Sequence, residues 1–113
     1  MNLLKPIRFV GSARLDLAAF PEDARMRVGY ALFLVQAGRE PADWKPLPTV
    51  GAGACEIRVR DADRAFRVIY VAKLKDAVYV LHAFQKQTRR IAAADLDLAR
   101  RRYAEARSIA REK

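Results

Sequence analysis

The chain has 113 residues, with 22 Lys or Arg against 13 Asp or Glu, giving a formal net charge of +9 and a sequence pI near 10.3. That length suits one domain, 1–113, and an apolar and aromatic fraction of 52% excludes disorder as the main state. The longest uncharged stretch, Val28–Gly38, falls short of the ~20 residues a membrane span needs. The opening MNLLKPIRFV has no apolar region ending in a small-residue cleavage site, so a secretory signal is not expected. A single cysteine, Cys55, cannot close an internal disulfide and fits a reducing cytoplasm. Residues 55–90 hold nine basic and four acidic side chains, net +5. They are interleaved with β-branched and aromatic residues, which puts the basic surface on folded strands and points to a polyanionic partner.

Taken in chain order, Ile7–Val10 reads as a short extended piece ended by Gly11. Ser12 is placed to cap a short helix, Ala13–Phe20, and Pro21 suits the first turn of a second. In that second helix Ala24, Val28, Ala31, Leu32 and Val35 recur at the helical period. Met26, Tyr30, Phe33 and Leu34 widen the apolar face, so the helix is expected to be packed on two sides, with Gly38 after its end. Arg39–Ala54, holding Pro41, Pro46, Pro48, Gly51 and Gly53, reads as a loop. Trp44 within it is either a base-stacking platform or, more economically, an anchor plugged into the core. Cys55–Arg60 alternates strictly, with Cys55, Ile57 and Val59 on one face and Glu56, Arg58 and Arg60 on the other. Asp61-Ala62-Asp63 turns into a second strand, Ala65–Ala72, and Lys75-Asp76 into a third, Val78–Phe84. Connections this short favour an antiparallel meander. A closing helix over residues 93–110 has the stripe Leu96, Ala99, Tyr103, Ala106 and Ala110, with Asp95 and Asp97 near its start and Arg107 and Arg111 near its end. The expected fold is α+β: an N-terminal helical hairpin packed on a small, mainly antiparallel twisted sheet, closed by a C-terminal helix.

Several chemistries lack their residues. One histidine and one cysteine do not make a Cys/His zinc site, and no Gly-rich turn joins a strand to a helix. Asp61 and Asp63 at a hairpin tip read as turn formers rather than metal ligands. Cys55 and His82 are a conceivable nucleophile–base pair, though a strand cysteine is usually a small hydrophobe. No metal and no cofactor is expected.

What remains is a polar face on the sheet. Arg67 interrupts Ala-Phe-Arg-Val-Ile-Tyr-Val, and His82 interrupts Val-Tyr-Val-Leu-His-Ala-Phe. Such residues need a partner or a cleft. A hydrogen-bonded core position for His82 and a Glu56 salt bridge for Arg67 are the plain alternatives. With Lys86, Arg89 and Arg90 beyond the third strand, the cations converge on one end of the sheet, as a phosphate-binding cleft requires.

The runs Cys55-Glu56-Ile57-Arg58-Val59-Arg60, Ala65-Phe66-Arg67-Val68-Ile69-Tyr70 and Leu81-His82-Ala83-Phe84-Gln85-Lys86-Gln87-Thr88 resemble the RelE/HigB toxins, in particular the phage-derived HigB-like branch. Ala99-Arg100-Arg101-Arg102 resembles that branch's A-x-x-R helix. The resemblance spans nearly the whole chain and implies a RelE/ParE-like fold. It also implies a type II toxin acting as an mRNA endoribonuclease (mRNA interferase) on the ribosome, so inhibiting translation. A cognate antitoxin, expected to be a small helix-turn-helix protein, is implied as well. By position, Arg58 and Arg67 match the phosphate-binding basic residues, and His82 and Lys86 the polar positions of the third strand. The second lysine of the branch's K-K-T signature is Gln87 here, and Cys55 stands where an aromatic is usual.

The expected chemistry is metal-free RNA cleavage, in which the 2′-OH attacks the adjacent phosphate. His82 or Glu56 takes the proton, Arg58 and Arg67 brace the phosphate, and Lys86 assists the departing oxygen. Arg60, Tyr70, Phe84, Gln87, Arg89 and Arg90 are the expected substrate-binding positions. The rivals are a ParE-like gyrase poison on the same fold, a non-catalytic basic RNA-binding module, and a decayed toxin marked by Gln87.

Overall fold

The computed structural model describes residues 4–75 and 77–111. Its elements run β1 (Ile7–Phe9), α1 (Ala13–Ala18), α2 (Glu22–Gln36), β2 (Trp44–Pro46), β3 (Ala54–Asp61), β4 (Arg64–Leu74), β5 (Ala77–Lys86) and α3 (Ala93–Arg111). The fold is α+β, as the sequence predicts. One five-stranded sheet has the order β1-β5-β4-β3-β2. It is antiparallel except for β1, which lies parallel to β5 with Ile7 opposite Val78. The β3–β4 turn holds Ala62 at φ 57, and Lys75 before β5 has φ 51. Asp76 of the second predicted turn lies outside the described residues.

The alternating strands send two apolar sets in opposite directions. Ile57, Val59, Phe66, Val68, Val78 and Val80 meet Ala24, Val28, Leu32 and Val35 of α2. Ile69, Val71, Tyr79 and Leu81 meet Ala99, Tyr103, Ala106 and Ala110, the predicted stripe of α3. Full burial of each large aliphatic side chain contributes ~1.5–3 kcal/mol, so both helical layers are held by the same sheet. Tyr103 also donates its hydroxyl to the carbonyl of Ala52 at 2.7 Å, and its ring lies where a Cβ on Gly51 would fall. That contact ties the 47–53 loop to α3.

Four features differ from the sequence reading. The Arg39–Ala54 loop contains β2, with Trp44, Lys45 and Pro46 opposite Ile57, Glu56 and Cys55; prolines at a sheet edge do not break the pairing that matters. Trp44 is half-buried there. Ser12 makes no cap bond; its hydroxyl donates to Asp16 and accepts from Arg102. Although α2 was expected to be packed on two sides, only one side is covered: Leu34 is buried, while Met26, Tyr30 and Phe33 are 64%, 63% and 43% exposed.

The fourth difference decides the site. Ile69 pairs with His82 but Tyr70 pairs with Val80, so Leu81 is an extra residue in β5, a β-bulge. Val80 faces the hairpin layer and unbroken alternation would put His82 beside it. The bulge reverses the faces, so that Ala83 joins the hairpin core while His82, Phe84 and Lys86 turn to the side of α3.

Candidate functional site

On the α3 side, beyond the end of that helix's footprint, the sheet carries a row of polar groups. Arg58 on β3 is directly opposite Arg67 on β4, and Arg67 is opposite Phe84 on β5. Lys45 on β2 is opposite Glu56 on β3. These strands floor a cleft of 320 Å³ lined by Lys45, Glu56, Arg58, Arg67, Lys86, Arg89 and Arg90. Leu47 and Thr49 from the 47–53 loop, with Ile91 and Leu96, form a less polar wall.

The charges in the cleft are incompletely paired. Glu56 is 2% exposed, and it is the one carboxylate among the described residues lining the cleft. Its Oε1 lies 3.6 Å from Lys45 Nζ and its Oε2 lies 3.9 Å from Arg67 Nε. Those distances allow charge pairing but exceed hydrogen-bond length. Oε2 and Nε are both buried without a hydrogen-bond partner among the described residues. Burial lowers the Arg67 guanidinium below its usual value, Glu56 pulls it back, and Arg58 adds to the lowering. Arg58 is held at the mouth by Asp43, whose Oδ1 accepts from Nε at 3.0 Å and lies 2.9 Å from Nη2. Lys86 is pushed below its usual value by desolvation and by Arg67, with Glu56 opposing and Lys45 and Arg58 reinforcing. Cations crowded around one buried carboxylate form a site that is electrostatically more favourable with an anion in it.

The predicted site residues therefore divide. Glu56, Arg58, Arg67, Lys86, Arg89 and Arg90 come together in the cleft. Arg60, one turn-ward step along β3, is exposed and sits with Arg58, Asp43 and Arg67 where the cleft rounds the sheet edge. His82 is not with them. It is 6% exposed, its Nε2 is 2.7 Å from Asp95 Oδ1, its ring stacks on Phe84, and it borders a separate groove with Phe20 and Phe66. The plain reading of His82, a hydrogen-bonded core position, matches this geometry. Arg67 has its Glu56 partner as well as its place in the cleft. Phe84 is buried. Tyr70 lies on the opposite face beside Cys55, where burial, then Cys55, raises its hydroxyl above the usual range. Gln87 is exposed past β5 and does not line the cleft.

Burial likewise raises the Cys55 thiol, against the opposing pull of Tyr70 and Lys73. Cys55 faces the hairpin layer and His82 the other side, so the two are not a catalytic pair. Asp61 is engaged by Arg64 at 3.3 Å and Arg27 at 4.0 Å, and the described residues hold no cluster of three or more metal-ligating side chains. Lys45 and Asp43 were not singled out in the sequence; the signal was the alternation Asp43, Lys45 against Trp44 and Pro46, obscured by the prolines.

The family described as phage-derived protein Gp49-like (DUF891) matches residues 15–104, from within α1 to within α3. The chain belongs to that family. Gp49-like proteins are RelE/HigB-like toxins of toxin–antitoxin systems, so the Gp49-like chain is a toxin-like module. No curated protein matches it in sequence. Among its described residues, no helix is long and apolar enough to cross a membrane.

Proposed function

We propose that this Gp49-like chain is the toxin of a type II toxin–antitoxin pair and cleaves mRNA at the cation cleft without a metal ion, on the translating ribosome. The observation that carries the reading is Arg58 opposite Arg67 beside the buried Glu56, with Lys86 brought to the same face by the bulge. Two guanidinium forks on neighbouring strands suit the non-bridging oxygens of one phosphodiester. Glu56, with Oε2 unpartnered, takes the proton of the 2′-OH. The 2′ oxygen then bonds to phosphorus, the 5′ oxygen leaves, and Lys86 supplies its proton. The products carry a 2′,3′-cyclic phosphate and a 5′-OH. The Leu47, Ile91 and Leu96 wall gives a base an apolar surface. His82, bound to Asp95, holds the start of α3 against β5 and takes no proton from substrate.

The test is primer extension and end-group analysis of mRNA in a translating extract. Wild type is expected to leave 2′,3′-cyclic-phosphate ends. Glu56→Gln loses at least about 10²-fold, the usual scale of general acid–base catalysis, whereas His82→Gln keeps its rate within a few fold. Equal loss in both variants would return His82 to the chemistry. Intact mRNA alongside inhibited supercoiling by gyrase would replace the nuclease reading with topoisomerase poisoning.

A pH profile tests Lys86 separately. An acid works only while protonated, so the rate falls as pH rises through its pKa. Desolvation, and then the cations around Lys86, place that fall below the 10.5 of an isolated lysine. Lys86→Arg slows cleavage and moves the alkaline fall to higher pH.

A further inference from the structure

Lys45, on the short strand β2, brings a second cation to the buried carboxylate of the cleft. Its Nζ lies 3.6 Å from Glu56 Oε1 and Arg67 Nε lies 3.9 Å from Oε2, so each oxygen faces a different cation. The two cations are placed differently. Arg67 belongs to the row in which it pairs with Arg58 across β3 and β4. On the β2 side the neighbour of that row is Asp43, whose carbonyl accepts from Arg58 N at 2.9 Å. Lys45 stands opposite Glu56 instead, two residues along the strand and so about 7 Å from the row.

The backbone that carries Lys45 is fixed on both sides. Trp44 and Pro46 stand opposite Ile57 and Cys55, and Leu47 N donates to the Ala54 carbonyl at 2.8 Å. Further along, Arg100 Nε of α3 donates to the Thr49 carbonyl at 2.8 Å. The tip is free to adjust. The Lys45 side chain is 52% exposed, and an ammonium on a flexible four-carbon stem shortens 3.6 Å to hydrogen-bond length without moving the strand. Arg67 lacks that freedom and, in the proposed reaction, is committed to the phosphate. A carboxylate takes a proton on one oxygen, and the group that holds the other decides which. Oε2 has no hydrogen-bond partner among the described residues. The geometry points to Lys45 as a positioning residue for the base: it holds Oε1 of Glu56, so that Oε2 faces the 2′-OH. It also keeps a counter-charge on the buried carboxylate when Arg67 turns to the phosphate. Lys45 itself does not touch the phosphate. This role rests on the proposed function; the pairing of Lys45 with Glu56 does not.

The experiment compares Lys45→Met, which keeps the aliphatic stem, and Lys45→Arg with wild type in the whole chain, with rates taken per folded molecule. On mRNA bound to ribosomes, Lys45→Met lowers kcat by at least about 10-fold, within the range that a misplaced reacting group costs. KM stays within about two-fold, because no contact to bound substrate is lost. Lys45→Arg restores most of the rate. A phosphate contact would act otherwise, raising KM and lowering the slope of log affinity against log salt by ~0.7 for a single strand. The second readout needs no RNA: the carboxyl-carbon NMR signal of Glu56 in the free chain moves in Lys45→Met and moves less in Lys45→Arg. An undiminished kcat in Lys45→Met, a loss that Lys45→Arg does not restore, or the phosphate-contact pattern would overturn the role. A Glu56 signal unmoved in Lys45→Met would overturn the pairing itself. If that signal moves but wild type cuts no RNA, the pairing stands and the nuclease reading falls, taking the role in the reaction with it.

Discussion

On the proposed nuclease reading, Arg67→Ala is expected to lower mRNA cleavage by about 10²–10³-fold, the cost of removing one preorganised donor from a developing phosphorane charge. The guanidinium sits on the cleft floor with its side chain 12% exposed, so no water-borne cation substitutes for it. The same change leaves Glu56 with Lys45 alone at 3.6 Å, and uncompensated burial of charge destabilises the fold by ~1–3 kcal/mol. Loss of activity and loss of fold are therefore separated by two companions. Arg67→Lys keeps the charge beside Glu56 but not the bidentate fork, and is expected to fold like wild type while cutting at least ~10-fold more slowly. Arg58→Ala, with its side chain 36% exposed, removes the facing guanidinium at smaller cost to stability. Circular dichroism and urea midpoints report the fold; primer extension reports cleavage. Full cleavage by Arg67→Lys and Arg58→Ala together would remove the phosphate from this cleft.

The layered fold was legible because the signals were periodic. Strict alternation in Cys55–Arg60 put Glu56 and Arg58 on the face that carries the cleft, and the Leu96, Ala99, Tyr103, Ala106 stripe named the buried side of α3. Three things were not legible. A three-residue strand among prolines has too few residues to show a period, so Lys45 was missed. The apolar surround of α2 reads as two-sided burial, but sequence does not say whether the second side is covered by the same chain. And alternation in β5 hides its own interruption: Val-Tyr-Val-Leu-His-Ala-Phe gives no mark at Leu81, yet that extra residue decides on which face His82 and Lys86 emerge. His82 looked catalytic because an isolated imidazole in an apolar strand needs a partner, and the partner, Asp95, comes from a helix the strand pattern does not announce.

The bulge has its own support, and removing it is expected to cost both stability and chemistry. Arg102 reaches from α3 to donate Nη1 to the Leu81 carbonyl at 3.0 Å and Nη2 to the Ser12 hydroxyl at 2.9 Å. Ser12 in turn donates to Asp16 at 2.8 Å. Gly11, with φ +59, passes so close that a Cβ there would fall 2.6 Å from Arg102 Nε. One guanidinium thus joins α3, the bulge and the start of α1. Its place three residues after the fully buried Ala99 explains physically why an A-x-x-R spacing suits this helix: one residue packs on the sheet, the other reaches its irregular point. Arg102→Met retains most of the aliphatic stem but leaves a buried carbonyl unpaired, a loss of ~2–3 kcal/mol for a charge-assisted bond. For a domain of this size that lowers the melting temperature by roughly 10 °C. A strand that sheds its bulge shifts register by one residue and turns every side chain beyond it to the other face. Lys86 would then leave the cleft, so the surviving folded fraction should cut RNA at the rate of Lys86→Ala rather than of wild type. Arg102→Lys, which can reach one of the two acceptors, should fall between. Wild-type cleavage per folded molecule in Arg102→Met would show that the bulge holds without its guanidinium.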